Sequence, residues 1–538
     1  KEALVTLHSK VKEAQKIGQR VVCSLMLDEM AIRKKIEWTG HKFSGFIDFG
    51  ADVNNDSLPE AKEALVFMVN CVNGRWKLPV AYFLIDGLGG FEKANIVKHC
   101  LQFIYESGAE IISLTFDGTA SNISMANFLG SNISIENMKT WFPHPISNRP
   151  IHILPDPLHM LKLIRNALAS RPAIYDTNGN PIEWSYLQKL VDIQNSEGLH
   201  IATKIRNRHI DWVREKMKVK IAAQTLSLSV AKALKYLRQT NHPLNFKNSK
   251  PTETFVTNIN DAFDILNSRN LLAKNLKCGI QNWNKEKIFL RIDQIIEYLK
   301  SLRELPDGQF MCTSTRKIGF LGMIISLNSL KSIYNENVNS NQPILKYVLA
   351  YKLSQDHLEV FFSAIRSCGG HNNNPTARQF ESAYKRLLIH CEVIGSQNAN
   401  CLDQTPISIL TVSSNQKSQI IPSGIQCLNA NLQGDIDIFV SQSHLNDHAY
   451  YKLPEFETLS FYVVDVVSYI AGFVVCKVKQ VVKCNPCICA LTLDENTSTL
   501  VTLKQYTLNS KTGLINASTD VIYLCKLAET EFRILEQT

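Results

Sequence analysis

The chain has 538 residues, 45% of them hydrophobic and 20% charged, and its 58 Lys and Arg against 49 Asp and Glu leave a formal charge of +9. That composition excludes collagen, coiled coil and wholesale disorder, and at about 100–200 residues per domain the length allows roughly three to five domains. The basic excess suits a polyanionic partner and equally an ordinary surface. Most of the 14 cysteines fall singly between Cys23 and Cys427, without the dense framework of small secreted domains, which favours a reducing compartment, cytosol or nucleus. The sequence holds no run of eighteen apolar residues, so no membrane association is expected. Its start, KEALVTLHSKVKEAQ, has neither an initiator Met nor a signal-peptide core, so a further region is expected before Lys1.

Residues 1–20 carry Leu4, Leu7, Val11 and Ala14 at helical spacing and read as a helical connector. From 21 to 170 the texture is that of an α/β domain. VVCSLMLDEM (Val21–Met30) is an apolar run meeting a carboxylate, and HKFSGFIDFG (His41–Gly50) is rich in aromatics. ALVFMVNCV (Ala64–Val72) is followed by Asn73-Gly74 and RWKLPVAYFLI, a hairpin signal, because both central residues of a type I′ turn take positive φ. Three antiparallel strands are expected. FEKANIVKHCLQFIYESG then places Val97, Cys100, Leu101 and Ile104 at helical spacing and stops at Gly108. AEIISLTFDGTASN is a buried strand ending at Asp117, and RPIHILPDPLHMLKLIRNAL is a strand, a break at Pro155 and a helix. The order β-β-β-α-β-(α)-β-α predicts an RNase H-like mixed five-stranded sheet.

Residues 171–340 form a large, mainly helical insertion, in which Asn241–Thr254 reads as an exposed loop. Residues 341–394 complete the α/β domain with a helix through DHLEVFFSAIRSC. A polar linker at 395–434 leads to a small C-terminal domain at 435–538.

Asp28 closes the first strand, Asp117 closes the fourth, and Glu359 lies on the helix after the insertion. At 100° per residue Leu358, Phe361, Phe362 and Ile365 form one apolar stripe of that helix, with Glu359, Asp356, Ser363 and Arg366 along its flank. Three acids at such positions suit a two-metal site, since paired Mg²⁺ ions need hard oxygen ligands and neutralising charge. An Asp after a strand is also an ordinary turn residue, the reading given to Asp48 and Asp86. Asp156 and His159 share a face at the head of a helix, either supporting the site or capping and bracing that helix. Asp356, three residues before Glu359, reads as a further ligand or as an acid supporting the ligands. The segment Lys204–Lys220, with Arg206, Arg208, Arg214, Lys216, Lys218 and Lys220, reads as a helix that carries a DNA backbone or as a solvated basic face.

CSLMLDEMAIRK, ALVFMVNCVNGRWKLPVAYFLIDG, SLTFDGTASN, LPDPLHMLKLIRN, RKIGFLGMIISLNSLKSIY and QDHLEVFFSAIRSCGGHNNNPTARQF, in that order, resemble the transposase body of the P-element family. The resemblance implies an RNase H-like DD(E) domain split by a helical insertion, with Asp28, Asp117 and Glu359 as catalytic metal ligands for Mg²⁺ or Mn²⁺. It implies cut-and-paste cleavage and strand transfer on double-stranded DNA, in the nucleus, by a homo-oligomer. A THAP zinc finger precedes this body in the family, and a related group carries a Cys-x-x-His motif where Asp156 and His159 stand. GTP is a further cofactor implied by the family's insertion, although the chain has no GxxxxGK[ST] loop on which to place it. Cys484 and Cys487 make a C-x₂-C without a second clean pair, which favours ordinary thiols over zinc. The competing readings are a domesticated, catalytically silent DNA-binding or regulatory protein and an RNase H-like nuclease of RNA–DNA hybrids.

Overall fold

The computed structural model describes residues 2–38, 40–41, 43–50, 58–240, 242, 246–370, 372–389, 408–409, 459–482, 484–493, 498–504 and 514–537. Apart from 408–409, the expected linker 395–434 lies outside the described residues. The chain divides into one unit of Lys1–Val412 with Thr499–Asn509 and a second of Ser413–Ser498 with Ser510–Thr538.

The first unit is built on one mixed sheet. Its strands are β1 (Val22–Ala31), β2 (Glu63–Cys71), β3 (Trp76–Ile85), β4 (Glu110–Phe116), β5 (Trp141–Pro143), β6 (Pro150–Pro155) and the two-residue β7 (Ser408–Ile409). They lie in the order β7-β3-β2-β1-β4-β6-β5. β1, β2 and β3 pair antiparallel in succession, while β4 and β6 run parallel to β1. The five expected strands are all present, and β5 and β7 extend the two edges. Strands such as SLMLDEM and IISLTF are near-continuous apolar runs because both of their faces are covered. The core joins them to Leu7 and Val11 of the Glu2–Lys16 helix, to Val97, Leu101 and Ile104 of the Gly90–Glu106 helix, and to Leu358, Phe361, Phe362 and Ile365.

The Asn73-Gly74 hairpin forms, but neither residue takes positive φ, so the turn is not type I′. Asn73 works instead through its side chain, which donates to Arg20 O at 2.6 Å and accepts from Val22 N at 3.2 Å. Gly74 is required for space: a Cβ there would lie 2.8 Å from Cys71 Sγ.

The insertion is helical as expected, with helices at Ser185–Ser196, Leu228–Gln239, Lys250–Leu266 and Lys285–Ser301. Two expectations are corrected. Asn241–Thr254 is not one exposed loop, because a helix starts at Lys250 with Pro251 in its first turn, and Phe246, Ser249 and Thr252 are buried. Lys204–Lys220 is not one helix, since only Asn207–Ile210 and the start of Val219–Thr225 are helical there. The Lys317–Asn337 helix, placed with the insertion by sequence, lies on the sheet: Ser326 Oγ donates to Pro155 O at 2.7 Å and Ser329 Oγ to Ile153 O at 2.6 Å. Gly322 permits this approach, because a Cβ would fall 2.1 Å from Met160 Sδ. The Thr499–Lys504 helix also belongs to this unit, where the buried Lys504 donates to Ile201 O.

Burial pushes the Asp264 carboxyl of the insertion up to about 6, against the opposing charge of Lys277 and a hydrogen bond from Asn260. A carboxyl whose folded value lies above its unfolded value of about 3.9 stabilises most at low pH, and that contribution is lost as pH rises through 6. Asp264→Asn is therefore expected to raise stability by about 1 kcal/mol at neutral pH and by little at pH near 4, measured by urea unfolding at both.

The second unit holds helices Phe461–Val481, Asn485–Leu491 and Thr519–Gln537, with Ala471, Val475 and Ala517 as its small core and Ile515, Val521 and Ile522 packed against it. Among the described residues Phe461–Val481 is long and apolar enough to cross a membrane, with a mean hydropathy of 1.8 over its best window. It also carries Asp465, Lys477 and Lys479 and packs along the Thr519–Gln537 helix, which leaves Phe461, Phe473 and Val481 exposed.

Candidate active site

The parallel pairing of β1 with β4 sets Met26 beside Thr115, so two residues on, Asp28 and Asp117 come to the same end of that pairing. Asp117 follows β4 as expected, but Asp28 does not close its strand: it stays within β1, paired with Val66, because β1 continues along β2 to Ala31. Asp28 Oδ1 accepts from Glu29 N at 2.9 Å. Asp117 Oδ1 accepts from Thr119 N at 3.0 Å and from Asn122 Nδ2 at 2.8 Å. Glu359 comes to this end on the Asp356–Cys368 helix, which Gln355 docks. Gln355 Nε2 donates to Leu27 O at 2.7 Å, one residue before Asp28, and its backbone N donates to Asp156 Oδ1 at 3.0 Å. The stripe Leu358, Phe361, Phe362 and Ile365 is buried as the spacing predicts, leaving Glu359 half-buried at its edge.

The three acids share one electrostatic neighbourhood. Burial first, and then the negative charge of Asp117 and Glu359, push the Asp28 carboxyl up to about 8, with His159 opposing. Among the described residues no cluster of His, Cys, Asp or Glu is drawn into a ready-made metal cage. The donors are all hard oxygens, however, and a carboxyl raised first by burial and further by two like charges is the condition that a divalent cation relieves, so the set fits Mg²⁺ or Mn²⁺.

Asp156 is buried and caps the Pro157–Ala169 helix, its Oδ2 accepting from His159 N at 3.1 Å and bonding His159 Nδ1 at 2.9 Å. Burial alone would raise Asp156, but its bonds with His159 and Gln355 hold it below the usual range. Burial would likewise lower His159, and Asp156 holds it up. The pair therefore braces the helix head and at the same time presents His159 to Asp28. Asp356 is buried and turned to the insertion, where Arg269 Nη2 meets its Oδ2 at 3.0 Å. That bond ties the first turn of the Glu359 helix to the insertion. Asp48 and Asp86 serve turns and surface pairs, Asp48 accepting from Gly50 N at 2.7 Å and Asp86 meeting Lys62 at 3.2 Å.

The basic segment is partly neutralised within itself. Glu215 takes both Arg208 and Lys218, and those two cations, Arg208 first, hold its carboxyl down at about 2. Arg214 meets Asp211 at 3.3 Å. Arg206, Lys216 and Lys220 stand exposed on separate turns, not along one helix face.

Sequence reasoning missed three residues that organise the site: Gln355, Lys93 and Asn122. Lys93 is buried, pairs with Glu29, and donates to Asn122 Oδ1 and Ser121 Oγ, each at 2.9 Å. A connected path runs from Glu29 through Lys93 and Asn122 to Asp117. The available signal was Lys93 itself, a cation four residues before Val97 on a helix's apolar stripe.

A mixed sheet with one acid inside β1 and another directly after β4, and a third acid on a helix reached only after a long helical insertion, defines a split RNase H-like domain. Family profiles agree with that division. "TNP-like, RNase H N-terminal domain" matches residues 1–130, "TNP-like, GTP-binding insertion domain" matches 158–279, "TNP-like, RNase H C-terminal domain" matches 351–385, and "DNA transposase THAP9, C-terminal domain" matches 458–538. The chain is homologous to the P-element and THAP9 transposases. It is 29% identical to human DNA transposase THAP9 over 90% of its own length and 53% of that protein's. It is 26% identical to the Drosophila melanogaster transposable element P transposase over 68% of its own length and 45% of that protein's. The chain thus spans about half the length of the curated relatives it matches. The solved Drosophila P element transposase strand transfer complex superposes with a TM-score of 0.57 at 25% identity, covering 71% of this chain and 79% of that one.

Proposed function

We propose that this chain is a DNA transposase of the P-element class, which cuts and joins phosphodiesters with Asp28, Asp117 and Glu359 as the ligands of a divalent metal pair. The observation that most supports the reading is that Asp28 feels the charge of both Asp117 and Glu359, which reach its neighbourhood from an adjacent strand and from a helix far along the chain. The metals would supply an activated water or 3′-hydroxyl and charge to steady the leaving oxygen. The protein's own share is positioning. The Glu29 amide orients Asp28, Thr119 N and Asn122 orient Asp117, and Gln355 seats the Glu359 helix against β1. Fixed ligands of this kind avoid reorganisation during the reaction. His159, held up by Asp156, places partial positive charge beside the acids.

The DNA reading draws on the homologous transposases and on the neighbour solved as a strand transfer complex. Double-stranded element ends and target are the proposed substrates, with Arg206, Lys216 and Lys220 as phosphate contacts. Two ends must be held together, so the working form is a homo-oligomer, and its place is the nucleus. The insertion's match to a profile named for GTP binding makes GTP its proposed ligand. The test is the purified chain with Mg²⁺ and DNA bearing terminal inverted repeats, with and without GTP. Excision with joined products is expected. Binding without cleavage would point to a silent DNA-binding protein, and hydrolysis confined to RNA–DNA hybrids to a nuclease; either overturns the reading.

A further inference from the structure

Directly after β1 the chain builds a small two-stranded hairpin, Glu37–Trp38 against Phe43–Ser44, in which Trp38 stands opposite Phe43. The two rings meet edge-on with centroids 4.9 Å apart, yet Trp38 is 56% exposed and Phe43 51%. Large aromatic rings ordinarily gain their stability from burial, which this pair forgoes.

The root of the hairpin is fastened. Arg33 N donates to Pro375 O at 2.8 Å, and Thr376 Oγ1 donates to Glu37 Oε2 at 2.7 Å. Gly45, at a φ of +117°, lies so close to Lys35 that a Cβ would fall 2.1 Å from its carbonyl oxygen. Pro375 and Thr376 lead into the Ala377–Ile389 helix, which packs on the helix that carries Glu359, and β1 carries Asp28, so the root of the hairpin is fastened between β1 and a neighbour of the Glu359 helix. Ten residues separate Asp28 from Trp38, a contour of at most about 35 Å.

The surroundings are cationic. Between Ala31 and Gly45 the sequence places Arg33, Lys34, Lys35 and Lys42 against the single acid Glu37. Lys35 meets Glu37 at 3.0 Å and Lys34 approaches Asp86 at 3.9 Å, while the exposed Arg33 has no ion pair among the described residues. Exposed ring faces among cations suit a polyanion whose bases are free to stack. A single strand offers both phosphates and base faces, whereas a duplex hides its base faces in the stack.

We propose that the Trp38–Phe43 hairpin docks an unpaired segment of DNA strand beside the catalytic carboxylates, its bases stacking on Trp38 and its phosphates meeting Arg33 and Lys34. This rests on the transposase reading above. Cutting near the acids leaves strand ends that fray, and the hairpin holds such an end within reach of the site.

A cross-strand aromatic pair also stabilises a hairpin by itself, and the test separates the two roles. The full chain is titrated, by fluorescence anisotropy without divalent metal, against a labelled blunt duplex and the same duplex carrying an oligo(dT) tail. Trp38→Ala is expected to weaken binding of the tailed probe about tenfold and to leave the blunt probe unchanged. Trp38→Leu, which keeps an apolar partner for Phe43 without a stacking face, should lose as much, and Trp38→Phe should keep most of the affinity. Arg33→Ala should lower the salt dependence of tailed-probe binding by about one counterion. Equal losses on both probes, no loss on either, or wild-type affinity in Trp38→Leu would overturn the inference and leave the transposase reading standing. A wild-type chain that binds neither probe would overturn both.

Discussion

Glu359→Gln is expected to reduce strand cleavage about a thousandfold or more, as are Asp28→Asn and Asp117→Asn, while each variant unfolds at or above the wild-type temperature when metal is withheld. The activity loss follows from the role: an amide keeps the shape but not the charge that binds a divalent cation, and metal-assisted stabilisation of a developing oxyanion is worth several kcal/mol. The stability result follows from the cost of the site. Burial and the charges of Asp117 and Glu359 disfavour the ionised Asp28, so removing any one acid relieves repulsion among those that remain. A catalytic cluster trades stability for function in this way, whereas a structural acid does not. Cleavage of an end-labelled duplex in Mg²⁺, paired with thermal unfolding in EDTA, reads both quantities. Cleavage at the wild-type rate in any of the three would remove that residue from the mechanism, and a large fall in unfolding temperature would mark it as structural.

How far the site was legible depends on the range of the contacts that build it. Asp28 and Asp117 were readable because each ends an apolar run, a local property, but only Asp117 ends its strand; β1 runs on past Asp28 to Ala31 because β2 keeps pairing with it, which the run itself does not report. Glu359 was readable because Leu358, Phe361, Phe362 and Ile365 fix which face of its helix is buried, again within four turns of chain. Asp156 stood equally well as a cap or a supporting group; the structure shows the cap, with one oxygen on its own helix, and turns the other oxygen to Gln355 from far along the chain, a contact no local pattern signals. The basic segment failed as a helix because Glu215, in its middle, gathers Arg208 and Lys218 and folds the chain on itself. Periodicity does not report such pairing. The Lys317–Asn337 helix was assigned by its neighbours in sequence, yet GFLGMIISL has no polar face and therefore calls for burial on more than one side. That second side is the sheet, met through Pro155 and Ile153, residues too distant in the chain for any local pattern to signal.

Lys93→Met is expected to destabilise the protein by about 3 kcal/mol and, separately, to raise the Mg²⁺ concentration needed for half-maximal cleavage about tenfold or more. The stability term comes from Glu29, whose carboxylate loses its buried partner. Removing one member of a buried pair costs far more than removing both, because the survivor keeps its desolvation penalty. The activity term comes from Asn122. Lys93 holds the Asn122 carbonyl oxygen at 2.9 Å, and this fixes the amide so that Nδ2 points to Asp117 at 2.8 Å. Without the lysine the amide is free to turn, and Asp117 loses the donor that orients it. The double variant Lys93→Met with Glu29→Gln divides the two effects: it should recover most of the lost stability in urea unfolding and keep the raised metal requirement. Asn122→Asp, in contrast, sets a second carboxylate against Asp117 and should damage cleavage with Lys93 intact. Were the double variant to restore both stability and metal requirement, Lys93 would be a packing residue that answers only to Glu29, and Asp117 would owe its orientation to the Thr119 amide alone.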